Sequence, residues 1–226
     1  MASPEAPSPE ATENLDDDSG DSANVIHERR SKAEKREGSK AQKERAEAES
    51  NLDRVRRRAA NYMKNEDLKK QVPRKMLLGD KLALTPEEQW ILKSKFEIFL
   101  VYSADGRLKK AGIGTREEST IPNLNNGDIV SHNHPAGRGP SNTDLRYALN
   151  HPEVTMRIIA RNENGTIEIF QILVKKAINK NEIKKIVRDY KRACDFGADD
   201  HAARRNAMEL IAEEFQDILK VTTTIQ

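Results

Sequence analysis

Read for the spacing of its apolar positions, the chain changes character twice. From His27 to about Gln71 it is dense in Lys, Arg, Glu and Ala, and core-forming residues are few. That pattern predicts a solvated helix or a loose linker. Gln71-Val72-Pro73-Arg74 breaks it. Thr85-Pro86-Glu87-Glu88 then reads as an N-cap, a proline at the first helical position and acids in the first turn, opening a short helix through Trp90, Ile91 and Leu92. Glu97 to Tyr102 is an apolar run of strand length. Ala104-Asp105-Gly106-Arg107 is a hairpin signal, with Leu108 to Ile113 as the return strand.

Thr115 to Asn126 is polar and reads as loop, with Ser119 to Pro122 as a candidate short strand. After the Asn125-Asn126-Gly127 turn, Asp128 to His132 is a short core strand. Ser141 opens a helix through Leu145 and Ala148. Glu153 to Arg161 and Thr166 to Val174 are strands joined by the hairpin Asn162-Glu163-Asn164-Gly165. Two helices follow, Lys180 to Phe196 and Asp200 to Lys220. Ile183, Ile186, Tyr190 and Ala193 form one apolar stripe; Ala207, Leu210, Ile211, Phe215 and Ile218 form the other. The order predicts an α+β or α/β fold, a mixed sheet with flanking helices. The pieces are an acidic tail over 1–26, a charged helical arm or linker over 27–75, a central domain over 84–175 and a C-terminal helical region over 178–226.

Composition sharpens this division. The hydrophobic fraction is 36% and the charged fraction 34%, so only part of the chain can form a packed core. The net charge of +2 conceals segregation: residues 1 to 26 carry Glu5, Glu10, Glu13, Asp16, Asp17, Asp18 and Asp21 and no Lys or Arg. With its Pro and Ser, that tail is expected to be disordered. The arm after it is basic. Its Arg54, Arg56, Arg57 and Arg58 form a candidate phosphate-neutralising cluster, against the plainer reading of a solvated helix face. The single Cys194 excludes an internal disulfide and a cysteine-rich metal site. No apolar run reaches membrane-spanning length, and the N-terminus is not a signal peptide. The protein is expected to be cytoplasmic or virion-associated, with no membrane partner.

The chemistry concentrates in Val130-Ser131-His132-Asn133-His134-Pro135, followed after a Gly/Pro-rich loop by Ser141-Asn142-Thr143-Asp144. Histidines at i and i+2 of a strand point to one face. The loop can return the Asp144 carboxylate to them. Two imidazoles and a carboxylate with an open fourth position are the ligand set of a catalytic zinc. Two plainer readings stand beside this. His-Asn-His-Pro is also an ordinary strand-to-turn segment, and Ser141-x-x-Asp144 is also a helix capping box. His27, His151 and His201 have no partner spacing and read as surface residues.

His132-x-His134-Pro135 with Ser141-x-x-Asp144 resembles the signature of the JAMM (MPN+) zinc metalloprotease family. The motif is most similar to the RadC-like branch and to JAMM domains attached to phage head-morphogenesis proteins. The resemblance implies a cytidine-deaminase-like sandwich over about Leu84 to Lys175. It also implies a zinc ion held by His132, His134 and Asp144, with water as the fourth ligand, and hydrolysis of an amide in a protein or peptide substrate. A family glutamate on a separate strand acts as base. Glu97 is the candidate, since it opens an otherwise apolar strand; Glu117 and Glu118 are the rivals. Ser141 matches the serine that donates to the oxyanion.

Two other classes of function remain in view. One is a phage or mobile-element structural protein, assembling through the helical arm or the C-terminal helices. The other is a nucleic-acid-associated factor, contacting its partner through the basic arm.

Overall fold

The computed structural model describes residues 38–57, 60–61, 72–79, 81–113, 124–195 and 201–226. The chain divides into two units, Met1–Lys43 and Glu44–Gln226. In the first, the described residues 38–43 are helical. The acidic tail over 1–26, the candidate strand Ser119 to Pro122, and Arg58, Glu117 and Glu118 lie outside the described residues.

The second unit begins with helical residues 44–57 (α1). Here the arm is less solvated than its composition suggests. Ala48, Leu52 and Val55 are buried, and their i, i+4, i+7 spacing makes one narrow apolar stripe amid the charges. Two short helices follow, Arg74–Leu77 (α2) and Pro86–Ile91 (α3). Thr85 caps α3: its hydroxyl accepts from the Glu88 amide at 3.1 Å, while the Glu88 carboxylate accepts from the Thr85 amide at 2.9 Å.

Six strands form one mixed sheet. They are Ile98–Tyr102 (β1), Leu108–Ile113 (β2), Ile129–His134 (β3), Thr155–Arg161 (β4), Ile167–Val174 (β5) and Leu219–Ile225 (β6), in spatial order β2-β1-β3-β4-β5-β6. All neighbours are antiparallel except β3 and β4, which are parallel. A parallel pair needs a crossover, and helix Asn142–Asn150 (α4) supplies it. Helices Lys180–Asp195 (α5) and His201–Glu214 (α6) complete the fold. The α+β class with a mixed sheet and flanking helices is therefore as expected, and no helix among the described residues is long and apolar enough to cross a membrane.

The last expected helix is corrected. Its spacing predicts a run from Asp200 to Lys220, but α6 ends at Glu214, and Leu219 to Ile225 pair with β5 from Val174 back to Glu168. Val221-Thr222-Thr223-Thr224-Ile225 is wholly β-branched and favours a strand. Phe215 and Ile218 fit the helical spacing but sit in the turn between, where the Ile218 amide donates to the Phe215 carbonyl at 2.8 Å. Leu210, placed on the buried stripe by its spacing, is 58% exposed.

The alternation of side chains along the strands sorts the core into two layers. On one face Met156, Ile158, Phe170 and Ile172 pack against Leu145, Ile186, Tyr190 and Met208 of α4, α5 and α6. On the other, Leu100, Tyr102, Ile159 and Ile169 pack with Leu52, Val55, Leu77 and Ile91. This second layer also encloses a charged pair with no exposure, Glu88 and Arg157. Arg157 donates from Nε to Glu88 Oε1 at 2.6 Å and from Nη2 to Oε2 at 2.9 Å. It also reaches the carbonyls of Leu77 and Ala83, at 3.2 and 2.5 Å. The Ser131 hydroxyl adds a second bond to Glu88 Oε1, at 2.6 Å. The Thr85 hydroxyl lies 2.7 Å from that of Tyr102. Burial, with the nearby Glu88 and Glu87 charges, raises the Tyr102 pKa well above its ordinary value. Hydrogen-bonding every member is what makes such a buried pair tolerable.

Candidate metal centre

β3 lies in the middle of the sheet, antiparallel to β1 and parallel to β4. Its alternation divides the motif between the layers. Ser131 and Asn133 face the Glu88–Arg157 layer; His132 and His134 face α4 to α6. Strand geometry runs to His134, two residues beyond the sequence reading, until Pro135 removes the next ladder donor. Ala160 is the β4 partner of His134, and its small side chain leaves the imidazole room beside it.

A tight turn sends the chain back. The Gly137 amide donates to the His134 carbonyl at 3.0 Å. Gly137 has φ +68°, and a Cβ there would lie 2.3 Å from the Arg161 carbonyl oxygen, so only glycine fits. The loop then aims two carbonyls at His134: its Nδ1 is 2.9 Å from the Arg138 oxygen and 3.2 Å from that of Gly139. An Nδ1 facing two acceptors carries a proton, so in the neutral imidazole it is the Nε2 lone pair that could bind a cation.

At the end of the loop Ser141 caps α4. Its hydroxyl accepts from the Asp144 amide at 3.2 Å and donates to Asp144 Oδ2 at 2.6 Å; its own amide donates to the same oxygen at 2.6 Å. The capping box and the ligand set are thus one structure. The single Ser141 proton goes to Asp144, so donation to an oxyanion requires the hydroxyl to turn.

The three candidate ligands converge. His132 Nε2 lies 3.1 Å from His134 Nε2 and 3.1 Å from Asp144 Oδ1, and His134 Nε2 lies 3.3 Å from Asp144 Oδ2. Ligands about 2.0–2.1 Å from a tetrahedral zinc lie roughly 3.3–3.4 Å apart; the two imidazole nitrogens, 3.1 Å apart, are near that spacing, and each meets a different oxygen of the Asp144 carboxylate. The charge state also fits. Burial alone would raise the Asp144 pKa, but the two imidazoles hold it well below the usual carboxylate range. Burial likewise works against a charged His134, yet the bond to Asp144 and its negative charge outweigh it, raising the pKa to about 8. The pocket therefore stabilises positive charge, which a metal cation could supply in place of a proton. Among the described residues these three form the one cluster of His, Cys, Asp or Glu with metal-binding spacing.

Glu97 stands at the rim, with its side chain 45% exposed and Oε1 4.0 Å from His132 Nε2. It is held by a residue that the sequence reading passed over. Asn133, between the two histidines but on the opposite face, donates to the Phe96 carbonyl at 3.1 Å and accepts from the Ile98 amide at 2.7 Å. The two bonds bracket Glu97. The only sequence signal for this was a polar residue at an inward position of a core strand.

The other candidates do not join this site. Arg54 stacks 4.5 Å over the Trp90 ring, and Arg56 and Arg57 bond within their own helix, to the Asp53 side chain at 3.7 Å and its carbonyl at 3.3 Å. His151 pairs with Glu153 at 3.0 Å, and the side chain of His201 and the whole of His27 lie outside the described residues. No protein-family model, curated protein or solved structure matches this chain.

Proposed function

We propose that the chain is a zinc-dependent metallopeptidase or isopeptidase of JAMM type, cutting an amide bond in a protein or peptide, in the cytoplasm or in a virion. The observation that carries this reading is the convergence of His132, His134 and Asp144, with contacts of 3.1 to 3.3 Å between them and the Glu97 carboxylate at the rim. Zinc bound by these residues would supply Lewis acidity, polarising the scissile carbonyl and acidifying a water molecule. Glu97 takes the proton from the attacking water and delivers it to the leaving amine, so that acid and amine products form without net proton change at the carboxylate. Its exposure lets it meet solvent and substrate. Asp144 and the two imidazoles would hold the ion, Asp144 fixed by Ser141 and His134 by the Arg138 and Gly139 carbonyls.

Two variants test the roles. Glu97→Gln keeps the shape and the metal and is expected to lose about 10²–10⁴-fold in cleavage rate, the usual worth of a positioned base. Asp144→Asn is expected to lose the metal itself, read by elemental analysis after gel filtration. Wild-type protein that takes up no zinc from stoichiometric solution, or Glu97→Gln protein that cuts a wild-type substrate at full rate, contradicts the proposal.

A further inference from the structure

The loop between the candidate ligands is bonded from α5 by a tyrosine side chain. Tyr190, in the middle of α5 and 1% exposed, donates its hydroxyl to the Pro140 carbonyl at 2.5 Å. Pro140 is the residue before the Ser141 cap. Its neighbours Arg138 and Gly139 supply the two carbonyls that orient His134. The bond therefore lies at the junction of the segment that sets the His134 ring and the segment that sets Asp144.

The loop is also packed from the α6 side. A Cβ on Gly139 would approach the Arg204 Cβ at 3.2 Å and the Phe170 ring at 3.4 Å. α5 and α6 thus touch the ligand loop at consecutive residues, one by a hydrogen bond and one by close contact. The loop's internal bonds run to His134 and Asp144; the hydroxyl of Tyr190 ties it to α5. Burial raises the tyrosine pKa, so the hydroxyl stays neutral and remains a donor.

We infer that Tyr190 is a positioning residue of the metal centre: through the Pro140 carbonyl, α5 holds Ser141 and Asp144 at coordinating distance from the two histidines. This rests on the reading of His132, His134 and Asp144 as metal ligands. A buried tyrosine hydroxyl also seeks any acceptor simply to be satisfied. That plainer role costs folding stability and leaves metal affinity in the folded protein unchanged, and the two roles separate on that point. Outer partners of metal ligands commonly alter affinity by 10–100-fold.

The test is Tyr190→Phe in the full chain, which removes one oxygen and keeps the ring in the core. Zn²⁺ affinity of folded, chelator-stripped protein is measured by competition with a chromophoric chelator, and the visible spectrum is recorded with Co²⁺. A loss of about 10–100-fold in Zn²⁺ affinity with an altered Co²⁺ spectrum is the expected result. A metal-free readout runs in parallel: the Ser141 amide, bonded to Asp144 Oδ2 at 2.6 Å, is expected to exchange faster in the variant. Gly139→Ala, which disturbs the same loop from the α6 side, is expected to weaken Zn²⁺ and Co²⁺ in the same direction and guards against poor folding of the first variant. Wild-type affinity and spectrum in folded Tyr190→Phe protein, with unchanged Ser141 exchange, overturn the inference and leave the metal centre standing. Wild-type protein that binds neither ion overturns both.

Discussion

The pair of charges behind the histidine strand sets up the sharpest stability test. Arg157→Met removes four donated hydrogen bonds, two to Glu88 and two to the Leu77 and Ala83 carbonyls. It keeps an unbranched side chain of comparable reach. Glu88 then retains only the Ser131 hydroxyl and the Thr85 amide, in a place with no solvent exposure. Stranding one member of a buried pair costs about 3–5 kcal/mol. For a protein of this size each kcal/mol shifts the melting temperature by roughly 2–4 °C, so the fall is about 6–20 °C. Removing the second charge as well, in Arg157→Met/Glu88→Leu, recovers part of that loss. It does not recover all of it, because the Leu77 and Ala83 carbonyls and the Thr85 amide of the α3 cap have lost these partners. The assay is urea unfolding of chelated protein for the wild type, both single variants and the double, analysed as a cycle. A cost below about 1 kcal/mol for Arg157→Met, or a double variant no better than the sum of the singles, refutes the reasoning.

Other outcomes follow from the same geometry. Gly137→Ala forces a side chain onto the Arg161 carbonyl at φ +68° and is expected to destabilise by more than about 1 kcal/mol, read by thermal unfolding. The raised pKa of His134, about 8, sets the pH dependence of metal uptake. Its proton must leave, so Zn²⁺ affinity is expected to fall by up to about tenfold per unit as pH drops below 8, followed by calorimetry in buffers of different ionisation heat. Asn133→Ala frees both ends of the segment bearing Glu97 and is expected to lower kcat while Zn²⁺ affinity stays near wild type. Equal loss of both would place Asn133 with the ligands instead.

What the sequence made legible was short in range. His132, His134 and Asp144 lie close enough along the chain for strand period and one loop to bring them together, and the capping box was visible as Ser141-x-x-Asp144. Glu97 was reachable because a carboxylate at the head of an apolar strand needs a reason. Glu88 and Arg157 were not legible as a pair: they are 69 residues apart, and by themselves Glu88 looks like a first-turn helix acid and Arg157 like a mid-strand charge facing out. β6 was hidden because Phe215 and Ile218 continued a helical spacing into a turn, and only the β-branched run after them argued otherwise. Tyr190 was placed correctly on a buried stripe, but a periodicity says nothing about where a hydroxyl ends.

The alternation of β3 bears on how this protein can fail. Its six residues send ligands to one side and the Glu88 contact and the Glu97 bracket to the other. A slip of one residue exchanges the two sides completely. Imidazoles would then enter the layer of the buried charges, and Ser131 and Asn133 would face the loop. No half-slipped strand exists that keeps the core and loses only the ligands. Damage to the register of this strand is therefore expected to appear as loss of the folded protein, and quality control that removes misfolded chains would remove inactive ones of this kind in the same act.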